Sequence, residues 1–165
     1  MQSILRGYST MLTYLNRLVG YAIGIMLAVM SILIFWQVFA RFVVGESLTF
    51  SEEISRFLMI WMTMLGTAYA IREGSLIAIE MLPEVLKGKG QRILRVISEV
   101  VATIFYIVLI IYGWQMAEAV QMQTAPSTRI SMFWSMLALP VGGIFMLLNS
   151  LGVISKQFLI EKGGE

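Results

Sequence analysis

Cysteine, histidine and aspartate are absent from the 165 residues, and proline occurs only three times. Without thiols or imidazoles the chain lacks the usual ligands for iron–sulfur clusters, zinc and histidine-held haem, and it has no base for a histidine-dependent triad. No cofactor, metal or catalytic residue is therefore expected, and the chain does not read as an enzyme. The missing cysteine says nothing about compartment, because a membrane-embedded chain needs no disulfides. Charge is scarce as well: 13% of residues are charged against 58% hydrophobic, and the mean hydropathy is +0.81. Such a composition argues against a soluble domain and for a polytopic membrane protein. The net charge of +2 and a pI near 9.0 fit topology and contact with anionic membrane lipid. No basic stretch is dense enough to suggest a nucleic-acid partner.

What the chain does have is long uncharged runs, at 18–40, 57–71, 100–117 and 130–155. A hydrocarbon core about 30 Å thick takes about 20 residues of helix at roughly 1.5 Å each. The run at 57–71 is short, but Thr49 with Glu52 three residues on reads as a capping box that starts a helix near Phe50. The reading is an all-α integral membrane protein: a single transmembrane domain over 1–165 with spans at 18–40, 50–71, 97–117 and 130–155. Arg41 follows the first run without a small-x-small cleavage site, so that segment is read as retained rather than as a signal peptide.

Lys and Arg set orientation. Arg6 and Arg17 in the N-terminal tail, Arg72, Lys87, Lys89, Arg92 and Arg95 in the second loop, and Lys156 and Lys162 in the C-terminal tail outnumber Arg41, Arg56 and Arg129 in the first and third loops. Both termini are thus expected in the cytoplasm. Between the second and third spans, Glu80, Glu84 and Lys87 share one helical face while Ile79, Leu82 and Leu86 share another, which predicts short amphipathic helices in the interface, broken at Pro83.

Several residues stand out within the spans. Gly20, Gly24 and Ala28 recur every four residues and form a small-residue ridge where another helix can approach. Pro140-Val141-Gly142-Gly143 predicts a kink or a close crossing in the fourth helix. Asn149 is that helix's strongly polar inner residue and is expected to hydrogen-bond across helices. The thirteen Met residues are scattered among Leu and Ile without a repeated cluster, so they read as packing and lipid contacts.

The most informative segment is Ser51-Glu52-Glu53-Ile54-Ser55-Arg56, three ionisable side chains at the start of the second span. Charge at a bilayer centre costs about 2.5 to 3.5 kcal/mol on insertion scales, so charges joined to a spanning helix usually face protein, water or a partner. Two readings stay open. Glu52 and Glu53 cap the positive helix end, or they are buried against a partner and paired with Arg41, Arg56 or a partner cation. Gln37 and Arg41, four apart, share a face at the end of the first span and belong to the same candidate cluster.

In order along the chain, Gln37-Val38-Phe39-Ala40-Arg41-Phe42, Phe50-Ser51-Glu52-Glu53-Ile54-Ser55-Arg56, then Trp61, Gly66 and Ala70, Arg72-Glu73-Gly74, and Leu137-Ala138-Leu139-Pro140-Val141-Gly142 resemble the small, DctQ-like membrane subunit of the tripartite ATP-independent periplasmic (TRAP) transporters. Leu76 stands where that family often has His, and Ser127-Thr128-Arg129-Ile130-Ser131 replaces a more apolar segment. The resemblance implies a bacterial or archaeal cytoplasmic membrane protein whose partners are a large multi-spanning membrane subunit and a periplasmic substrate-binding protein. In such a system the binding protein delivers an organic acid to the large subunit, which moves it inward with sodium while the small subunit scaffolds it. Two other classes compete: a self-sufficient four-helix transporter or channel, and a membrane anchor subunit of a redox complex. The first would be expected to place an ionisable group mid-membrane, and the second would need a cofactor ligand.

Overall fold

The computed structural model describes residues 2–45, 48–73 and 89–163, with four helices long and apolar enough to cross a membrane. The first, α1 (Gln2–Phe39), is 38 residues long, about 57 Å at the standard rise. That exceeds what the hydrocarbon needs, so α1 must tilt or project beyond it. It starts well before residue 18 because Arg17, which interrupts the uncharged run, is a good helix former on an exposed face and does not interrupt the helix. A wider π-helical turn, Ala40–Val44, closes it, and Gly45 at φ 81° returns its N–H to the Ala40 carbonyl. Without a Cβ, glycine takes that left-handed conformation at little steric cost.

Helix α2 (Thr49–Glu73) runs back, α3 (Lys89–Ala119) follows, and the fourth span is divided into one turn, α4 (Phe133–Met136), and a long helix, α5 (Ala138–Gly163). The fourth span begins later than residue 130, because Ser131 pairs with Thr124 in an antiparallel bridge that belongs to the preceding loop. Its irregularity also lies upstream of Pro140, at Leu137. Pro140 is in the first turn of α5, where a missing N–H leaves no intrahelical bond unmade. The interfacial helices expected around Pro83, and Leu76 with them, lie outside the described residues.

The helices pack in the order α1, α2, α5, α3. Helix α1 lies on α2 and more lightly on α5, and α5 separates α2 from α3; among the described residues neither α1 nor α2 brings a Cα within 8 Å of α3. Ala68, Ile71, Tyr106 and Met146 form the buried core, with Met64, Ala102, Leu109, Phe145 and Leu147 against it. Outside it the usual pattern inverts. On α1, Tyr14, Leu18, Tyr21, Ile25, Ile32 and Phe35 are each at least 65% exposed, a continuous apolar surface far larger than a soluble monomer presents.

Candidate functional site

At the end of the bundle that carries the first and third loops, the ionisable residues divide their roles. Glu52 and Arg56, one turn apart on α2, form an ion pair at 2.9 Å with both side chains more than half exposed. A pair so open to its surroundings adds little to stability. Glu53 points the other way, toward the loop between α3 and α4. Its Oε1 accepts the Ser127 N–H at 2.8 Å, and its Oε2 accepts the Thr128 N–H at 2.8 Å and the Thr128 hydroxyl at 2.9 Å. Thr49 hydrogen-bonds through its hydroxyl to that of Ser127. The capping box expected of Thr49 and Glu52 is therefore replaced: one member reaches the loop and the other pairs with Arg56.

The loop is folded to receive these contacts. The Ala125 N–H donates to the Ile130 carbonyl at 2.9 Å, the Arg129 N–H to the Ala125 carbonyl at 3.0 Å, and the Met132 N–H to the Gln123 carbonyl at 2.9 Å. Ser131 donates its hydroxyl to the Gln121 carbonyl at 2.7 Å, Ala125 is buried, and Arg129 adopts φ 55°. A non-glycine residue in the left-handed region needs surroundings that hold it there, and the bracketing backbone bonds supply them. Arg41 ends up exposed in the π turn with no ion pair among the described residues, and Gln37 is half-buried. Trp61 donates its indole N–H to the Trp134 carbonyl at 2.9 Å, tying α2 to α4. Trp134 and Trp114 each pack edge-on against Phe133.

The small residues sort into two groups. Those of α5 meet other helices closely. A Cβ on Gly142 would lie 2.7 Å from the Met64 Cβ, and one on Gly143 would lie 3.0 Å from Ile110 Cγ1 and 3.3 Å from the Tyr106 carbonyl oxygen. Buried Pro140 abuts Gly113 of α3, where a Cβ would stand 3.0 Å from the proline Cδ. On α1 and α2 the surroundings are open. Gly20 meets the Tyr69 ring at 3.3 Å, but Gly24 and Gly66 have nothing within 4 Å. Ala28 is exposed and Ala70 half-buried. Ala70 shares a helical face with Gly66 and with exposed Met59 and Thr63.

At the opposite end, Asn149 and Asn16 bond reciprocally. Asn16 Nδ2 donates to Asn149 Oδ1 at 2.7 Å, and Asn149 Nδ2 donates to Asn16 Oδ1 at 2.9 Å and to the Ala68 carbonyl at 2.7 Å. Arg72 donates to Thr13 Oγ1 at 2.6 Å, Tyr8 donates its hydroxyl to the Leu148 carbonyl at 2.9 Å, and Ser150 donates to Glu99 at 3.1 Å. Sequence reasoning named Asn149 but missed Asn16, because the span was started at residue 18; the helical spacing of Leu12, Asn16 and Val19 carried the signal. Gly113, Gly152 and the receiving loop of Glu53 were missed too, and for the loop no local pattern points to the contact.

Glu53, Asn16, Asn149, Tyr8 and Arg72 bond across helices or to the loop, an arrangement suited to holding a bundle together, while the buried hydroxyls of Ser51 and Ser55 have no hydrogen-bond partner among the described residues. Residues 30–159 match the family described as the DctQ component of the tripartite ATP-independent periplasmic transporters. The chain is 29% identical over 129 residues to the sialic acid TRAP transporter small permease protein SiaQ of Vibrio cholerae, covering 78% of this chain and 74% of that one. It is 31% identical over 140 residues to a putative TRAP transporter small permease protein of Haemophilus influenzae, covering 83% and 86%. With the ectoine TRAP transporter small permease protein TeaB of Halomonas elongata the identity is 32% over 77 residues, 47% and 40% of the two chains.

Proposed function

The chain belongs to the DctQ-component family of tripartite ATP-independent periplasmic transporters, and from that membership we propose that it scaffolds the large membrane subunit of a sodium-coupled, binding-protein-dependent importer of an organic acid. It is a multi-pass membrane protein in a non-enzymatic, permease-subunit role. On our reading it lies in the bacterial inner membrane with both termini in the cytoplasm. A periplasmic binding protein brings the solute, and the large subunit moves it.

The observation that supports scaffolding is the unfilled face of α1 and α2. Gly24 and Gly66, on adjacent helices, have no atom within 4 Å of where a Cβ would stand, with exposed Ala28 and half-buried Ala70 one turn along. Small residues let helix backbones approach closely, and close packing is the main attraction available between helices in lipid. An organic acid is favoured as cargo because the Vibrio cholerae relative is named for sialic acid.

Two bulky substitutions test the reading. Gly24→Leu and Gly66→Leu, at positions where an added Cβ would meet nothing within 4 Å, are expected to leave the chain's own fold intact while reducing recovery of the large subunit by affinity purification. Full recovery and full uptake with both substitutions together would overturn this face as the scaffold contact.

A further inference from the structure

Among the described residues, the side-chain polar links from α1 to the other helices are gathered between Tyr8 and Asn16. Beyond them α1 offers Leu, Ile, Val, Met and aromatic side chains on nearly every face. We propose that the Asn16–Asn149 pair is a register lock. It sets the rotation and height at which α1 docks on α2 and α5, and so decides which face of α1 turns outward.

The hydrogen bonding at this point is complete. Asn16 Nδ2 donates to Asn149 Oδ1 and to the Leu12 carbonyl, and Asn149 Nδ2 donates to Asn16 Oδ1 and to the Ala68 carbonyl. Each amide thus uses both N–H groups and its carbonyl, with both residues at most 3% exposed. The pair joins three helices, since Ala68 is on α2. Apolar contacts cannot supply the same selectivity, because lipid tails are as apolar as leucine and a slipped apolar face is nearly as well solvated as the native one. A directional amide pair distinguishes the alternatives. Turning α1 by one residue would bring Arg17, now exposed, toward the slot of Asn16. Sliding it by one turn would put Leu12 or Gly20 opposite Asn149 and leave that amide without its partner. Interhelical hydrogen bonds in membranes add only modestly to overall stability, because the separated helices find other partners. The lock therefore acts on which arrangement forms more than on whether the chain folds.

Cross-linking tests this cleanly, since the chain has no cysteine. Leu12→Cys with Gly152→Cys reports the docking of α1 on α5, where a Cβ on Gly152 would lie 2.7 Å from Leu12 Cδ1. Gly113→Cys with Leu139→Cys reports α3 on α5, where the two Cβ positions would be 2.9 Å apart. With the full chain in native membranes and a short thiol cross-linker, Asn16→Leu or Asn149→Leu should lower the 12–152 yield by on the order of fivefold and spare the 113–139 yield. The double variant strands no amide, so it should keep the 113–139 yield while the 12–152 yield stays low. Recovery of the 12–152 yield in the double variant would show that only unmet polarity mattered, and would overturn the lock. So would an unchanged 12–152 yield in the single variants. Loss of both yields in the double variant would make the pair a requirement of the whole fold instead, and overturns the proposal equally.

Discussion

Gly142 of α5 lies directly on Met64 of α2, so close that a Cβ there would come within 2.7 Å of the methionine Cβ and 3.4 Å of its Cα. Its neighbour Gly143, about 100° around the helix, faces α3 instead. Two consecutive glycines thus bring α5 against both helices that flank it.

Gly142→Ala should therefore destabilise the bundle by about 1 to 3 kcal/mol, the usual cost of forcing an extra methyl into a packed contact, because the atoms in the way are backbone and Cβ atoms that cannot swing aside. Gly143→Ala should cost less, since its nearest contacts, Ile110 Cγ1 at 3.0 Å and Leu109 Cβ and the Tyr106 carbonyl oxygen at 3.3 Å, are less close than the 2.7 Å contact at Gly142. Gly24→Ala, with nothing within 4 Å, should be neutral. Thermal unfolding in detergent, followed by tryptophan fluorescence, gives the ranking; equal melting temperatures for the variants at 142 and 24 would contradict it.

Glu52 and Glu53 should respond differently to the same substitution. Glu53→Gln keeps one acceptor oxygen but turns its amide nitrogen toward the donors of either Ser127 or Thr128, so at least one of those two backbone amides should exchange with deuterium about tenfold faster. Glu52→Gln removes only an exposed pair with Arg56 and should leave the loop's exchange unchanged. Hydrogen exchange resolved to the peptide spanning 123–132 distinguishes the two, and equal protection in both variants would remove Glu53 as the loop's anchor.

Trp61→Phe retains most of the ring and loses the 2.9 Å bond to the Trp134 carbonyl. The expected loss is about 0.5 to 1.5 kcal/mol, read as a lower melting temperature. A variant as stable as the parent would show that the indole N–H does not hold α4 to α2.

The topology makes a prediction of its own. A reporter active only outside the cytoplasm should give no signal when fused after residue 165 and a strong one when inserted near Gln123. The reverse pattern would invert the orientation taken from the distribution of Lys and Arg.

Reconstituted alone into liposomes, the chain should take up no organic acid when a sodium gradient is applied. Uptake by the isolated chain would contradict a scaffolding subunit and favour a self-sufficient transporter.

Much of this was legible in the sequence because hydrophobic length is a local property. Four apolar stretches, each bounded by charge or turn residues, specify four spanning helices whatever their neighbours, since in lipid the backbone must satisfy its own hydrogen bonds. The boundaries were less legible where two rules competed. Arg17 interrupts the hydropathy of α1 but not its helix, and Ile130 to Met132 continue an apolar run while belonging to a loop held by the Thr124–Ser131 bridge. Gly142 and Gly143 were visible as a crossing point because glycine in a helix interior usually marks a close approach. Which helices would cross there was not visible.

The sequence by itself determined the class of protein, its number of spans and, through motifs read in order, its family. Only the tertiary structure decided the partners. It gave Glu53 to the backbone of a loop more than seventy residues away, Asn149 to an asparagine outside the predicted span, and Gly20 to Tyr69 while leaving Gly24 open. The physical reason is that periodicity fixes the direction a side chain takes from its own helix axis, whereas the group it meets depends on how the other helices are stacked. In this chain that stacking is set by a few glycine contacts and polar pairs scattered across four helices.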